Sequence, residues 1–266
     1  MKRLSLSAMS LGIKLSVLTS ISVAIVLFAL TLTLSHNAAR QLEQLATDDM
    51  QNQVSGINEM ATMFNATLSE EVANYTKLFQ SFLPKRFSRD ESERIQVGEF
   101  STPTLRAGLK TLNLDQIAVD DFLDRTGAVS TIFVRDSEDY VRIATSLKKE
   151  DGSRAIGTKL DRSSAAWRSV NQGEVYRGLA TLFGHRYITQ YQPVKDDSGA
   201  VIAILFVGVQ IDAQYALMRD KVLARHLGDS GSFFVLNGAP GSTQGQYLFD
   251  RQSEGKLPRW NSAVQQ

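Results

Sequence analysis

The sequence GEVYRGLATLFGHRYITQYQPVKDDSGAVIAILFVGVQI, residues 173–211, predicts three strands of one antiparallel sheet. Short turns separate the strands, first at Phe183 and Gly184 and then at residues 196–199, and tight turns join antiparallel neighbours. The last strand, residues 200–211, is apolar on both faces. Such a strand is typical of the centre of a sheet that is covered on both sides.

Two further strands precede this meander, at residues 128–136 and 139–147, with Ser137 and Glu138 at the turn between them. A short helix at residues 162–170 follows, and Asp161 is its predicted N-cap. The order helix, hairpin, helix and meander indicates the α+β class. We expect a five-stranded antiparallel sheet with a long N-terminal helix on one face and small helices on the other.

The N-terminus carries an apolar segment without Asp, Glu, Lys or Arg over residues 15–37. Twenty helical residues span about 30 Å, which is the thickness of the hydrocarbon core of a bilayer. Lys2, Arg3 and Lys14 precede the segment, and acidic residues follow it. The positive-inside rule therefore predicts a cytoplasmic N-terminus at 1–14, a transmembrane helix at 15–35 and an exported remainder. A cleaved signal peptide is the alternative.

A second long helix is predicted at 36–83, because Gly56 is its only glycine and Pro84 is the first proline. Its apolar residues recur at steps of three and four, close to a heptad pattern. We expect the membrane-near half to pair with a second copy, giving a homodimer, and the distal half to cover the sheet. Alternatively, the whole stripe packs on its own domain. The charged residues 85–97 are interpreted as a linker.

The composition argues against several function classes. The net charge of +1 gives no basic excess for nucleic acid, and the chain has no cysteine and only three histidines. Motifs for a serine nucleophile, a zinc protease or a phosphate-binding loop are absent from the sequence. We therefore expect no enzyme activity, no metal and no cofactor.

Cations and aromatic hydroxyls concentrate on the predicted sheet and on the helix at 162–170. Strict alternation places Tyr140, Arg142, Ala144 and Ser146 on one face of their strand and Thr145 on the other. An arginine among tyrosines offers a bidentate site for a carboxylate, with aromatic walls around it. The alternative is a solvated sheet face on which the arginine pairs with Asp or Glu. The candidate ligand-binding residues are Tyr140, Arg142, Thr145, Trp167, Arg168, Tyr176, Tyr187 and Tyr191.

A resemblance to a known family covers roughly residues 36–250. The motifs are the Arg-x-x-Thr of residues 142–145, the Gly-Thr at 157–158, the Tyr-x-x-x-Tyr-x-Pro of 187–193 and the closing Phe-Val-Gly at 206–208. They resemble the Cache-3/Cache-2 fusion type of the Cache sensor family, found in bacterial methyl-accepting chemotaxis proteins.

The resemblance implies a PAS-like sensory lobe at 84–211, followed at 212–266 by a connecting helix and the start of a second, incomplete lobe. It also implies a sensor in the bacterial inner membrane, single-pass as given, with the sensory part in the periplasm. The sequence stops before the second membrane helix, the HAMP linker and the signalling rod of such receptors.

The implied ligand is a small, anionic metabolite, such as a carboxylate or an amino acid. Arg142 would be its main contact, the tyrosines would be walls, Trp167 and Arg168 would close the pocket, and Thr145 is included on family grounds alone. Alternative outputs are a histidine kinase or a diguanylate cyclase, and a third alternative is a periplasmic structural domain without a ligand.

Overall fold

A computed structural model describes residues 11–227, 231–238 and 244–258. The chain divides into two compact units, Met1–Met60 and Ala61–Gln266. In the first unit every described residue is helical, and most side chains are exposed. The helix there includes an apolar stretch with a mean hydropathy of 2.4, long enough to cross a membrane. This finding fits the predicted single-pass anchor.

Four helices and twelve strands are present in the described part of the chain. The helices are α1 Leu11–Ser81, α2 Ile117–Thr126, α3 Ala165–Asn171 and α4 Asp212–Leu223. The first eight strands are β1 Phe87–Val97, β2 Phe100–Ala107, β3 Lys110–Thr111, β4 Val129–Asp136, β5 Asp139–Thr145, β6 Tyr176–Leu182, β7 His185–Lys195 and β8 Val201–Gln210. The short strands after α4 are β9 His226–Leu227, β10 Gly231–Ser232, β11 Val235–Leu236 and β12 Tyr247–Phe249.

The main sheet of the second unit has five strands in the order β5-β4-β8-β7-β6, and all its neighbours are antiparallel. The α+β fold and the predicted five-stranded sheet are confirmed. Strand β8 lies at the centre, and its first eight residues are buried, as its continuous apolar sequence requires.

Each face of the sheet covers a separate apolar core. On one face α1 contributes Val72 and Phe79, and the ring of Phe79 lies 5.1 Å from that of Phe122 in α2. On the other face Ala166 and Val170 of α3 pack against the sheet. The expectation that all small helices lie opposite the long helix was therefore wrong for α2. Its apolar stripe packs beside α1 because Phe122 contacts the rings of Tyr75 and Phe79 of α1 and of Phe82, which directly follows the helix.

The interpretation of residues 85–97 as a linker was also wrong. Most of this segment forms β1, which pairs with β2 and has an irregularity between Asp90 and Arg94. Its charged side chains lie on an exposed face, where Arg89 pairs with Glu91. The charged residues made this segment look like a linker. They are compatible with a strand because β1 is an edge strand of a three-stranded sheet and one of its faces remains in water.

Several predicted boundaries differ in detail. Ser164, not Asp161, is the N-cap of α3, because its side chain accepts a hydrogen bond from the backbone N–H of Trp167. The connecting helix expected after residue 211 is α4. The short strands β9 to β12 lie in the segment where the start of a second lobe is expected, and residues 228–230 of that segment lie outside the described part. The predicted domain limits stay predictions.

Candidate functional site

A cavity of about 520 Å³ lies on the α3 face of the main sheet. This volume suits a small molecule. Strands β5, β6 and β7, the start of α3 and the segment 158–161 surround it. The polar groups are few and the walls are mainly apolar. The lining residues are Arg142, Thr158, Lys159, Leu160, Asp161, Ser164, Ala165, Ala166, Tyr176, Leu179, Ala180, Thr181, Leu182, Phe183 and Tyr191.

Arg142 of β5 is the buried charge of this cavity, with only 5% of its surface exposed. Its Nη1 donates hydrogen bonds to Thr158 Oγ1 and, at 3.4 Å, to the Ala155 carbonyl. The guanidinium lies 4.9 Å from the centre of the Phe133 ring. Nε is buried without a hydrogen-bond partner in the described part of the chain. The side chain is thus held in place while part of its donor capacity is unused.

No carboxylate of the described residues forms an ion pair with Arg142. The other charged residues of the cavity are Lys159, which is paired, and Asp161, which is exposed and forms no ion pair with a described residue. Lys159 pairs with Asp139 at 2.7 Å, and Asp161 accepts hydrogen bonds from the backbone and the hydroxyl of Ser163. A buried cation without an anion is costly, so the cavity is electrostatically prepared for a negative group.

Burial also changes the ionisation of the two principal polar side chains. Loss of solvent lowers the pKa of Arg142 to about 10, so the side chain stays charged at neutral pH. Burial raises the pKa of Tyr191 to about 12, although the positive charge of Arg142 opposes that shift. The hydroxyl of Tyr191 is therefore neutral at pH 7, and it lies close enough to the guanidinium of Arg142 for the two groups to interact electrostatically.

The segment after β5 folds back along Arg142 and fixes the strand. The backbone N–H of Arg142 donates to the Thr158 carbonyl, and the N–H of Gly157 donates to the Arg142 carbonyl, both at 2.9 Å. Gly157 has a φ of +75°, and a Cβ there would lie 3.0 Å from the Val97 carbonyl oxygen. A glycine is required at this close approach.

A β-bulge in β5 changes the predicted faces. Arg142 lies opposite Phe133 and Ala144 opposite Ile132, which leaves Ile143 as the extra residue. Thr145 then pairs with Thr131, and their hydroxyls are 2.5 Å apart. The prediction that Ala144 shares the face of Arg142 while Thr145 points away was therefore wrong. Strict alternation fails because the bulge reverses the pattern after Ile143.

The structure brings three of the eight candidate residues together around the cavity, namely Arg142, Tyr176 and Tyr191. The rings of Tyr176 and Tyr191 are 6.1 Å apart. Tyr140 and Trp167 lie in the apolar layer beneath and do not line the cavity.

The remaining candidates lie elsewhere. Thr145 is buried at the end of β5, where its backbone N–H donates to Gln116 Oε1. Tyr187 lines a neighbouring cavity. Arg168 is exposed, and its Nη1 donates to the Ser163 carbonyl at 2.7 Å.

Twelve of the fifteen lining residues were not among the sequence candidates, and Thr158 and Phe183 are the two nearest to Arg142 by the contacts described. Thr158 accepts a hydrogen bond from Arg142, and its signal was the Gly-Thr pair at 157–158. Phe183 was interpreted only as a turn residue. A bulky residue at a hairpin turn that adopts a φ of +48° is uncommon, and that was the available signal.

In the second unit the end of α1 packs on one face of the antiparallel sheet, and a cavity lined by a buried arginine lies on the opposite face. The chain belongs to the Cache 3/Cache 2 fusion domain family, which matches residues 35–258. Domains of this family sense small molecules outside the cytoplasm and are not enzymes. Among the described residues no cluster of His, Cys, Asp or Glu could hold a metal ion.

Solved structures with similar folds include the ligand-binding domain of the Campylobacter jejuni chemoreceptor Tlp3 in complex with L-norvaline. It is 11% identical, with a TM-score of 0.35, 66% of this chain covered and 64% of that one. The chain thus spans less than two thirds of that structure.

Two others are a structure named methyl-accepting chemotaxis protein X and the periplasmic domain of RsbU from Chlamydia trachomatis. The former is 14% identical, with a TM-score of 0.38, and covers 79% of this chain and 80% of that one. The latter is 13% identical, with a TM-score of 0.40, and covers 78% and 66%. These scores are too low to support a functional conclusion. A search of curated proteins gave no significant match.

Proposed function

We propose that the chain is the extracytoplasmic ligand-binding region of a bacterial chemotaxis receptor, and that a small carboxylate binds its cavity through Arg142. The main support for a carboxylate ligand is the buried guanidinium of Arg142, which has no acidic partner among the described residues. A bound carboxylate would supply the missing negative charge and accept from the unused donors.

The apolar walls favour a compact organic acid over a highly polar anion. Leu160, Ala166, Leu179 and Leu182 line the cavity together with the aromatic residues. An acid with a short hydrocarbon part would place its carboxylate on Arg142 and its apolar end against these side chains. Tyr191 adds a neutral hydroxyl beside the guanidinium, as its coupling to Arg142 indicates.

An amino acid is the second candidate ligand. Asp161 also lines the cavity, and a carboxylate is the group that an ammonium ion prefers. Both carboxylate oxygens of Asp161 already accept hydrogen bonds from Ser163, which weakens this candidate relative to a plain acid.

The membrane arrangement of the proposal follows from the N-terminal charges and from α1. Lys2, Arg3 and Lys14 would hold the N-terminus in the cytoplasm, so the sensory part would lie outside the inner membrane. Exposed apolar side chains of α1 beyond the membrane segment, including Leu42, Leu45 and Val54, would pair with a second copy. A monomer in sedimentation of the full chain would refute the pairing.

The direct test is a thermal-shift screen of the full chain in detergent with matched pairs of compounds. Propionate, alanine and propylamine share a three-carbon frame and differ in their charged groups. We expect the acid to raise the unfolding temperature and the amine to have no effect. Arg142→Met should abolish the response, whereas Arg177→Met, a control cation on the outer face of β6, should preserve it. Equal responses in both variants would overturn the proposal.

A further inference from the structure

A second cavity of about 510 Å³ lies on the same lobe, between the end of β5, the 148–150 loop and the start of β7. Its lining includes Ser146, Lys148, Lys149, Glu150 and Tyr187. Neither lysine forms an ion pair with a described residue. This cavity is therefore more polar than the one at Arg142, and it carries its own positive charges.

Phe183 is the residue that lines both cavities. It sits at the turn between β6 and β7, and its ring centre lies 6.0 Å from the guanidinium carbon of Arg142. A ligand that extends from Arg142 towards the second cavity would meet this ring. Phe183 thus borders both a mainly apolar cavity and a cavity with two lysines.

The position of Phe183 is conformationally unfavourable for its side chain. Its φ of +48° is a left-handed conformation that glycine, asparagine and aspartate adopt more readily. The neighbouring Gly184 lies against the 148–150 loop, since a Cβ there would be 3.5 Å from Glu150 Oε1. The turn itself does not require phenylalanine at this position. The effect of the aromatic ring is therefore to be sought at the two cavities that Phe183 lines.

We propose that Phe183 determines ligand length: its ring closes the Arg142 cavity against the second cavity, so the site accepts short acids and excludes long ones. This inference rests on the proposed role of Arg142 as the carboxylate contact. Without the ring, the two cavities would join. A longer diacid could then place one carboxylate on Arg142 and the other near Lys148.

The test uses dicarboxylates of increasing length, from succinate to pimelate, because they stay in water and do not enter detergent micelles. Affinities are measured by calorimetry on the full chain in detergent. The wild type should bind the short acids best. Phe183→Gly should raise the ratio of pimelate to succinate affinity at least about tenfold, since each methylene moved from water to an apolar site contributes roughly fourfold.

Further variants distinguish control of ligand length from a general enlargement of the Arg142 cavity. Leu179→Ala widens the Arg142 cavity at a wall that the second cavity does not share, so the ratio should stay within about twofold. Lys148→Met combined with Phe183→Gly should remove much of the gain for pimelate. Phe183→Asn, which also tolerates a positive φ, provides a second replacement of the ring.

The outcomes distinguish the two proposals. If the wild type binds short acids through Arg142 and the Phe183 variants keep the same preference for length, the role of Phe183 in determining ligand length is refuted. The proposed function then still stands. If no variant binds any acid and the wild type does not either, both are refuted. A shift of the optimum to longer acids in both Phe183 variants, but not in Leu179→Ala, supports the inference.

Discussion

Arg142→Met removes a buried charge and keeps an unbranched side chain of similar reach. Burial lowers the pKa of Arg142 to about 10, which corresponds to roughly 3 kcal/mol against the charged form. The variant loses the cation–π contact with Phe133, worth about 2 kcal/mol when desolvated. Thr158 Oγ1 keeps its hydrogen bond to the Ala155 carbonyl. It also loses the hydrogen bonds that Nη1 donates to Thr158 and Ala155, worth about 1 kcal/mol. These contributions nearly cancel, so we expect the stability of the ligand-free variant to lie within about 1 kcal/mol of that of the wild type.

A stability difference of this size moves the unfolding temperature by no more than about 2 to 4 °C. A saturating acid should raise the unfolding temperature of the wild type alone. At one hundred times its dissociation constant a ligand adds about 2.7 kcal/mol to the wild type and nothing to a variant that does not bind it. Paired thermal melts of the full chain in detergent, with and without propionate, measure both effects.

A ligand-free Arg142→Met variant that melts clearly more than about 4 °C below the wild type would contradict this expectation. That result would mean that Arg142 serves mainly to hold residues 155–158 through its hydrogen bonds. Arg142→Lys is the matched control, because it keeps a charge but cannot reproduce the planar fork of donors. We expect Arg142→Lys to retain weak binding.

Other changes test the site and the fold. Tyr191→Phe should weaken binding of a carboxylate about three- to tenfold in calorimetry with an unchanged melting temperature, and unchanged affinity would exclude a role for the hydroxyl. Gly208→Ala should destabilise the chain by about 1 to 3 kcal/mol, because its Cβ would lie 3.0 Å from the Phe206 ring. Gly238→Ala, whose Cβ meets no atom within 4 Å, is its control, and equal melting temperatures of the two variants would contradict the packing argument. Phe79→Ala should cost about 3 to 5 kcal/mol, and a loss below 1 kcal/mol would show that α1 contributes little to this core.

The main sheet was predictable because its strands have unambiguous patterns. The buried strand β8 is a continuous apolar run, and the turn at 183–184 fixes the β6–β7 pairing. Strand β1 was not predictable from its composition, since its charged residues lie on a solvated face and only pairing with β2 reveals the strand.

The candidate site was predictable in part. Arg142 and Tyr191 follow from alternation, because Arg142 precedes the bulge of β5 and Tyr191 lies on a regular part of β7. Thr145 does not, since the bulge at Ile143 depends on packing of both Ile143 and Ala144 into the α1-side core. Phe183 lines the cavity because the β6–β7 hairpin places it there. The sequence around Phe183 and Gly184 indicated only a turn.

The most direct measurement is an experimental structure of the full chain with the tightest-binding short acid. We predict density for the acid in the Arg142 cavity, with its carboxylate within hydrogen-bonding distance of the guanidinium and its apolar part against Leu179 and Phe183. Density for the acid at any other place, with Arg142 unchanged and still without an anion, would contradict the assignment of Arg142 as the ligand contact.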